Sequence, residues 1–332
     1  MELNIVAAIL VILGALLLWL TRPTLNPKVV SKKVEKLNLE GLKKTLDNSE
    51  SETANLIQGT EAHIQFATPE VPQTTDLVFM YVHGFSATWK ETDPVASTLA
   101  KRFGANLLQC RIAGHGTGPE GMKATAEEWI ASLNYQAEIA AQLGRNIIII
   151  GVSTGAPLAI WLSTQSLIKN QVTALLFMSP NFKIKPGIGA LLTWPITSHL
   201  IRLLFAGRYR SWVPANEEQA RFWTTRQPIS ALIEMQQVVD WANKQSLESI
   251  QIPLATMYME NDPTVNSIAA IRAHNRFSNA YNQLIKVELE GDAEDHVFCG
   301  DICGPQRTNW TISAFESFLK NLPDETLTPR RG

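Results

Sequence analysis

Four consecutive isoleucines, Ile147 to Ile150, run into Gly151-Val152-Ser153-Thr154-Gly155 and then into a helix-forming stretch, Ala156 to Ser166. An unbroken β-branched run fits a strand buried on both faces, the situation of a parallel sheet covered by helices. Passing from that strand straight into a helix demands a very sharp turn. Glycine at both flanks lets the two elements approach without a Cβ clash, and the residue at the tip takes up a strained backbone. That residue is Ser153. Its Oγ should stand above the sheet edge, with a helix N-terminus behind it that favours developing negative charge. A five-residue Gly-x-Ser-x-Gly pattern recurs by chance, and its position between strand and helix gives it weight.

The surrounding chain keeps the same rhythm. Leu77 to Val82, Asn106 to Ile112, Val172 to Met178, Pro253 to Met259 and Leu284 to Leu289 read as further strands. Helices are expected from Thr92-Asp93-Pro94, over Ala124 to Leu143 and over Thr311 to Leu322. Strands alternating with helices predict a mostly parallel sheet with helices on both faces, an α/β architecture. The core is expected to comprise residues 61–182 and 251–325. Between its halves, residues 183–250 lack clear strands and carry Trp194, Phe205, Tyr209, Trp212, Phe222, Trp223 and Trp241. An insertion there predicts a helical cap over a site. Its aromatics serve either the cap's own core or a hydrophobic ligand.

In a chain built around such an elbow, a carboxylate and then a histidine follow the serine in order. Asp262, in Glu260-Asn261-Asp262-Pro263, lies just past a core strand and is the candidate acid, with Glu260 as competitor. His63, His83 and His115 precede the serine, His199 falls in the cap, and His274 lies in a helical stretch that reads as solvated. His296, after the last strand and before the final helix, is the candidate base. Asp295 beside it reads as structural. Attack by the serine creates an oxyanion that needs two backbone N–H donors. Thr154 and, after the Leu77–Val82 strand, Phe85 in His83-Gly84-Phe85-Ser86 are the candidates, with His83 as a structural hydrogen-bonder. Gly114-His115-Gly116-Thr117-Gly118 lacks the Lys-Ser/Thr of a phosphate loop and reads as a loop at the site's edge.

The N-terminus is distinct. Ile5 to Leu20 is apolar except at Gly14, no basic residue precedes it, and Arg22, Lys28, Lys32, Lys33 and Lys36 follow. A cleaved signal peptide and a buried helix are alternatives, but a transmembrane helix over residues 1–22 fits best. Arg22 would snorkel to the interface and Trp19 would sit at it. The flanking charges predict a single-pass anchor with the remainder cytoplasmic, or periplasmic if an atypical anchor exports it. Residues 23–60 read as a basic amphipathic helix over Lys28 to Leu46, lying on an anionic membrane surface or packed on the domain, followed by a polar linker.

Composition removes other classes. A formal charge of −2 with 18% charged residues gives no basic footprint for nucleic acid. Three cysteines, Cys110, Cys299 and Cys303, are too few for a disulfide scaffold and offer no zinc site. Cys299 and Cys303 are close enough in sequence to pair, and otherwise read as free thiols. No cofactor and no metal are called for, and protein partners are not indicated.

The segments Val82 to Thr88, Arg111 to Gly116, Gly151 to Gly155, Asn261 to Val265 and Asp295 to Val297 occur in an order that resembles the α/β-hydrolase superfamily. The likeness is to its bacterial carboxylesterase and monoacylglycerol-lipase-like branch. It covers roughly residues 60–322. It departs at Ser153-Thr154-Gly155-Ala156, where that branch commonly has Ser-Met-Gly-Gly, and the N-terminal helix is not a feature of the superfamily. The resemblance implies an α/β-hydrolase fold, a Ser153/Asp262/His296 triad and cleavage of carboxylic esters, monoacylglycerol-like lipids among the candidates. Amide, peptide or thioester cleavage and acyl transfer use the same triad, and a non-catalytic scaffold is a further alternative.

Overall fold

A computed structural model describes residues 2–20, 22–26, 28–29, 32–185, 189–288 and 295–323. The strands are β1 (His63–Gln65), β2 (Thr75–Val82), β3 (Asn106–Gln109), β4 (Gly144–Val152), β5 (Val172–Met178), β6 (Tyr209–Ser211), β7 (Arg226–Pro228), β8 (Leu254–Tyr258) and β9 (Gln283–Lys286). The helices are α1 (Glu2–Leu20), α2 (Leu39–Ser51), α3 (Val95–Arg102), α4 (Ala126–Leu143), α5 (Gly155–Thr164), α6 (Gly189–Leu192), α7 (Pro195–Leu204), α8 (Glu217–Phe222), α9 (Ala231–Asn243), α10 (Ser267–His274) and α11 (Pro305–Lys320).

Among the described residues, seven strands form one sheet in the order β1-β3-β2-β4-β5-β8-β9. Every pairing is parallel except β1 with β3. The isoleucine run lies at its centre and serves both faces. Ile147 and Ile149 join the core under α4, α5 and α9, while Ile148 and Ile150 join the core under α3 and α11. Alternate side chains of a strand point to opposite faces, so a strand covered twice needs apolar residues at every position. Each such isoleucine contributes about 1.5–3 kcal/mol by burial.

The insertion between β5 and β8 is the expected cap, but it is not purely helical. Besides α6 to α9 it holds an antiparallel hairpin of β6 and β7. Each strand is three residues long, too short to show an alternating pattern in the sequence. The sheet also has an unforeseen edge strand, β1, which pairs only with β3. Leu289, the expected end of the last strand, and residues 324 and 325, the expected end of the core, lie outside the described residues.

The transmembrane expectation is corrected. Among the described residues, no helix is long and apolar enough to cross a membrane. The apolar run does fold as α1, but 19 residues at ~1.5 Å each reach about 28 Å, short of the ~30 Å hydrocarbon core. Arg22, expected at a lipid interface, instead donates from Nε to the Thr193 carbonyl at 3.1 Å and pairs with Asp240 at 3.3 Å, both cap groups. The single-pass anchor, and the membrane location with its cytoplasmic or periplasmic orientation that followed from it, are overturned.

The juxtamembrane helix is corrected too. Residues 32–38 are not helical; Val30 lies outside the described residues. They cross α4 as a strap, with the Val34 N–H on Glu138 at 2.8 Å and the Leu37 N–H on Gln142 at 3.1 Å. Helix α2 begins only at Leu39, where the Asn38 side chain caps the Gly41 N–H at 2.8 Å. Local periodicity did not register these side-chain acceptors more than a hundred positions away. The expected linker is likewise part of the domain: Glu50 makes a buried ion pair with Arg111 at 2.5 Å and accepts from the Ala62 N–H at 2.9 Å.

Candidate active site

In a parallel sheet all strand C-termini share one edge, and loops there can bring distant side chains together. The loops after β2, β4, β8 and β9 meet at this edge. Ser153 sits between β4 and α5 with a φ of +50°, the left-handed region that a non-glycine residue enters at a cost. The flanking glycine at 155 is obligatory by contact: a Cβ there would lie 2.1 Å from the Val82 carbonyl oxygen. This is the close strand–helix approach that the sequence pattern predicts. The Asn181 N–H donates to the Ser153 carbonyl at 3.0 Å, and the Asn181 Nδ2 donates to Thr154 Oγ1 at 3.2 Å, so the loop after β5 braces the turn.

His296 Nε2 lies 2.8 Å from Ser153 Oγ, and its Nδ1 lies 2.8 Å from Asp262 Oδ2. The other Asp262 oxygen accepts from the N–H groups of Thr264 and Val265, each at 2.8 Å. Burial pushes the Asp262 carboxyl up, but the His296 ring and those two amides outweigh it and hold the group below its ordinary range. An acceptor-only carboxylate facing Nδ1 makes that nitrogen the donor, which leaves Nε2 as the acceptor for the Ser153 hydroxyl. Glu260, the competitor, turns outward and pairs with Lys286.

Phe85 and Thr154 both line the cavity above Ser153, and neither backbone N–H is among the described intramolecular backbone hydrogen bonds. Two amides facing a reacting oxygen are what an oxyanion requires. His83 does no proton chemistry here. Its Nε2 accepts from the Ile112 N–H at 3.1 Å, so Nδ1, 2.9 Å from the Gly84 carbonyl, is the donor. Burial pushes its pKa, and that of neighbouring His115, well down, the latter to about 4. His274, expected in a solvated stretch, is instead buried against Thr256 Oγ1 at 2.9 Å.

Sequence reasoning did not point to Glu91. Its buried carboxyl accepts from the Gly84 N–H at 2.7 Å and from the Tyr81 hydroxyl at 3.0 Å. Nor did it mark Asn181, Arg210 and Gln227 as cavity residues. A polar side chain in a loop or a three-residue strand carries no periodic signal. The cavity holds about 400 Å³, at the small end of ligand pockets. Its apolar wall comes from Ile184, Trp212, Trp223 and Met235. The cysteines are unpaired, and burial pushes Cys299 and Cys303 up to about 12, so neither is a nucleophile.

A model of the alpha/beta hydrolase family matches residues 79–296, from β2 to the histidine above the sheet edge. The chain belongs to that family. No curated protein matches it. Solved structures share the fold at low identity. One is described with LipS and LipT, metagenome-derived lipolytic enzymes (15% identity, TM-score 0.62, 80% of this chain and 100% of that one). Another is a monoglyceride lipase of Saccharomyces cerevisiae (13%, 0.61, 83% and 97%). A third is a monoacylglycerol lipase of Paleococcus ferrophilus (16%, 0.57, 78% and 98%). At these identities the likeness is one of fold, and it includes monoacylglycerol lipases, as the sequence motifs suggested.

Proposed function

We propose that this α/β-hydrolase cleaves carboxylic esters through an acyl-enzyme on Ser153, with His296 as base and Asp262 as its orienting acid. The observation that carries the reading is the continuous chain of contacts Ser153–His296–Asp262, with 2.8 Å at each step. Its chemistry follows from the donor and acceptor inventory. His296 Nε2 takes the Ser153 proton as Oγ attacks the ester carbonyl, while Nδ1 keeps its proton and donates it to the Asp262 carboxylate, whose charge stabilises the imidazolium. The Phe85 and Thr154 amides receive the oxyanion. Collapse expels the alcohol, which leaves with the proton from His296. Water then attacks the acyl-serine by the same route and releases the acid. Each amide of the hole is worth about 2.7–4 kcal/mol at the transition state.

The apolar cap wall suits the hydrocarbon part of the acid. The lipase character of the similar structures makes lipid-derived esters, monoacylglycerols among them, the first substrates to try. A fluorophosphonate probe should label the wild type and not Ser153→Ala. p-Nitrophenyl esters of rising chain length should turn over far faster than aminoacyl nitroanilides. Labelling that persists without Ser153, or a wild type that never labels, would remove the proposal.

A further inference from the structure

The hairpin of β6 and β7 puts a cation with no counter-charge among the described residues into the active-site cavity. Alternation along β6 turns Arg210 away from Tyr209 and Ser211, and the register sets it opposite Gln227 on the same face. Both side chains line the cavity that contains Ser153 and His296.

The other arginines of the cap are occupied. Arg202 pairs with Glu234, and Arg208, Arg221 and Arg226 stack over Phe205, Phe222 and Tyr209. Arg210 has no ion pair, hydrogen bond or ring contact among the described residues. Partial desolvation in the cavity lowers its pKa, although the residue is exposed to solvent. The described carboxylate on the same cavity wall, Asp295, is not in ion-pair range of it. Gln227 is equally unengaged, and its Oε1 is buried without a partner. A guanidinium offers up to five N–H donors and no acceptor, in a planar fork that matches an oxyacid. The guanidinium is open to solvent, so its donors face the cavity free of any described protein acceptor and are open to an oxyacid group on a ligand.

We propose that the ester cleaved at Ser153 carries a second, anionic oxyacid group, a carboxylate or a phosphate, and that Arg210, supported by Gln227, binds it. This rests on the serine-hydrolase reading above and narrows its substrate class. Arg210 touches the non-reacting end of the substrate, so its effect belongs chiefly in KM.

The test is a matched set of 4-nitrophenyl esters: the monoester of adipic acid, its methyl-capped neutral counterpart, and a hexanoate ester bearing a terminal phosphate. The quantity read is the ratio of kcat/KM for each anionic ester to that of the neutral one. In the wild type at least one ratio should exceed about ten, the size of one charge-assisted hydrogen bond, and it should fall as salt is added. Which arm shows it distinguishes carboxylate from phosphate. Arg210→Gln should bring the ratio close to one, and Arg210→Lys should restore part of it, since a point charge persists without the fork. A wild type that labels with fluorophosphonate and hydrolyses the neutral ester, yet shows no preference, would overturn this inference and leave the serine-hydrolase reading intact. So would an Arg210→Gln variant with an unchanged ratio. A wild type that neither labels nor hydrolyses any ester would remove both.

Discussion

The Gly84 N–H donates to the Glu91 carboxyl at 2.7 Å, one residue before the amide assigned to the oxyanion. Burial, partly offset by the Gly84 amide and the Tyr81 hydroxyl, raises the Glu91 pKa from 4.5 to about 8. The sign of the pH effect follows. Between those values the folded chain keeps a proton that the unfolded chain releases, so stability declines as pH rises across the window and stays low above it. Glu91→Gln retains an acceptor for the amide and cannot ionise. The melting temperature of the wild type should therefore fall relative to that of Glu91→Gln between pH 5 and 8.5, since the buried histidines contribute equally to both. Parallel melting curves would show that Glu91 is ionised in the folded protein. Glu91→Ala, which strands the amide and the Tyr81 hydroxyl, should cost about 1–3 kcal/mol near pH 5, and less as the pH rises and the wild type loses stability.

Ser153 has a φ of +50°, so activity and stability should part at this residue. Ser153→Ala and Ser153→Gly should both lose ester turnover. The glycine variant should also melt higher than the alanine variant, because glycine removes about 1–2 kcal/mol of left-handed strain. Thermal melts of the two variants side by side measure this, and equal melting temperatures would mean that the turn stores no strain.

Asp262→Asn preserves the shape of the site but removes the acceptor-only group that fixes the His296 tautomer. Turnover should fall by roughly 10⁴-fold, and by less than in Ser153→Ala, since the oxyanion amides and substrate binding keep part of the rate enhancement. The comparison of kcat for the two variants on one ester decides it. A loss in Asp262→Asn as large as that in Ser153→Ala would contradict the orienting role.

Glu50 and Arg111 form a buried pair that ties α2 to the loop after β3. Removing one partner strands the other charge, so Glu50→Ala should lose about 3–5 kcal/mol in denaturant unfolding. A loss below about 1 kcal/mol would show that the segment before residue 60 packs only loosely.

Much of the fold was legible locally. The isoleucine run, the glycines around Ser153 and the alternation of strand and helix are each enforced by short-range sterics and by burial on two faces, and they appear in the structure within a few residues of where the pattern puts them. The order of serine, aspartate and histidine along the chain picked out three residues that the fold brings to one edge. The hairpin in the cap escaped notice because two three-residue strands show no period.

The N-terminal segment shows where local reading fails. Its apolar run and trailing basic residues matched a membrane span, but the partners of Arg22, Val34 and Leu37 lie on the cap and on α4, far away in sequence. Side-chain period and backbone sterics act over a few residues, so the chain alone was enough to fix the strand–turn–helix around Ser153. Which charges go unpaired is a matter of distances between remote segments. The lack of a described partner for Arg210, the burial of Glu91 and the fate of Arg22 therefore emerged only once the chain had folded.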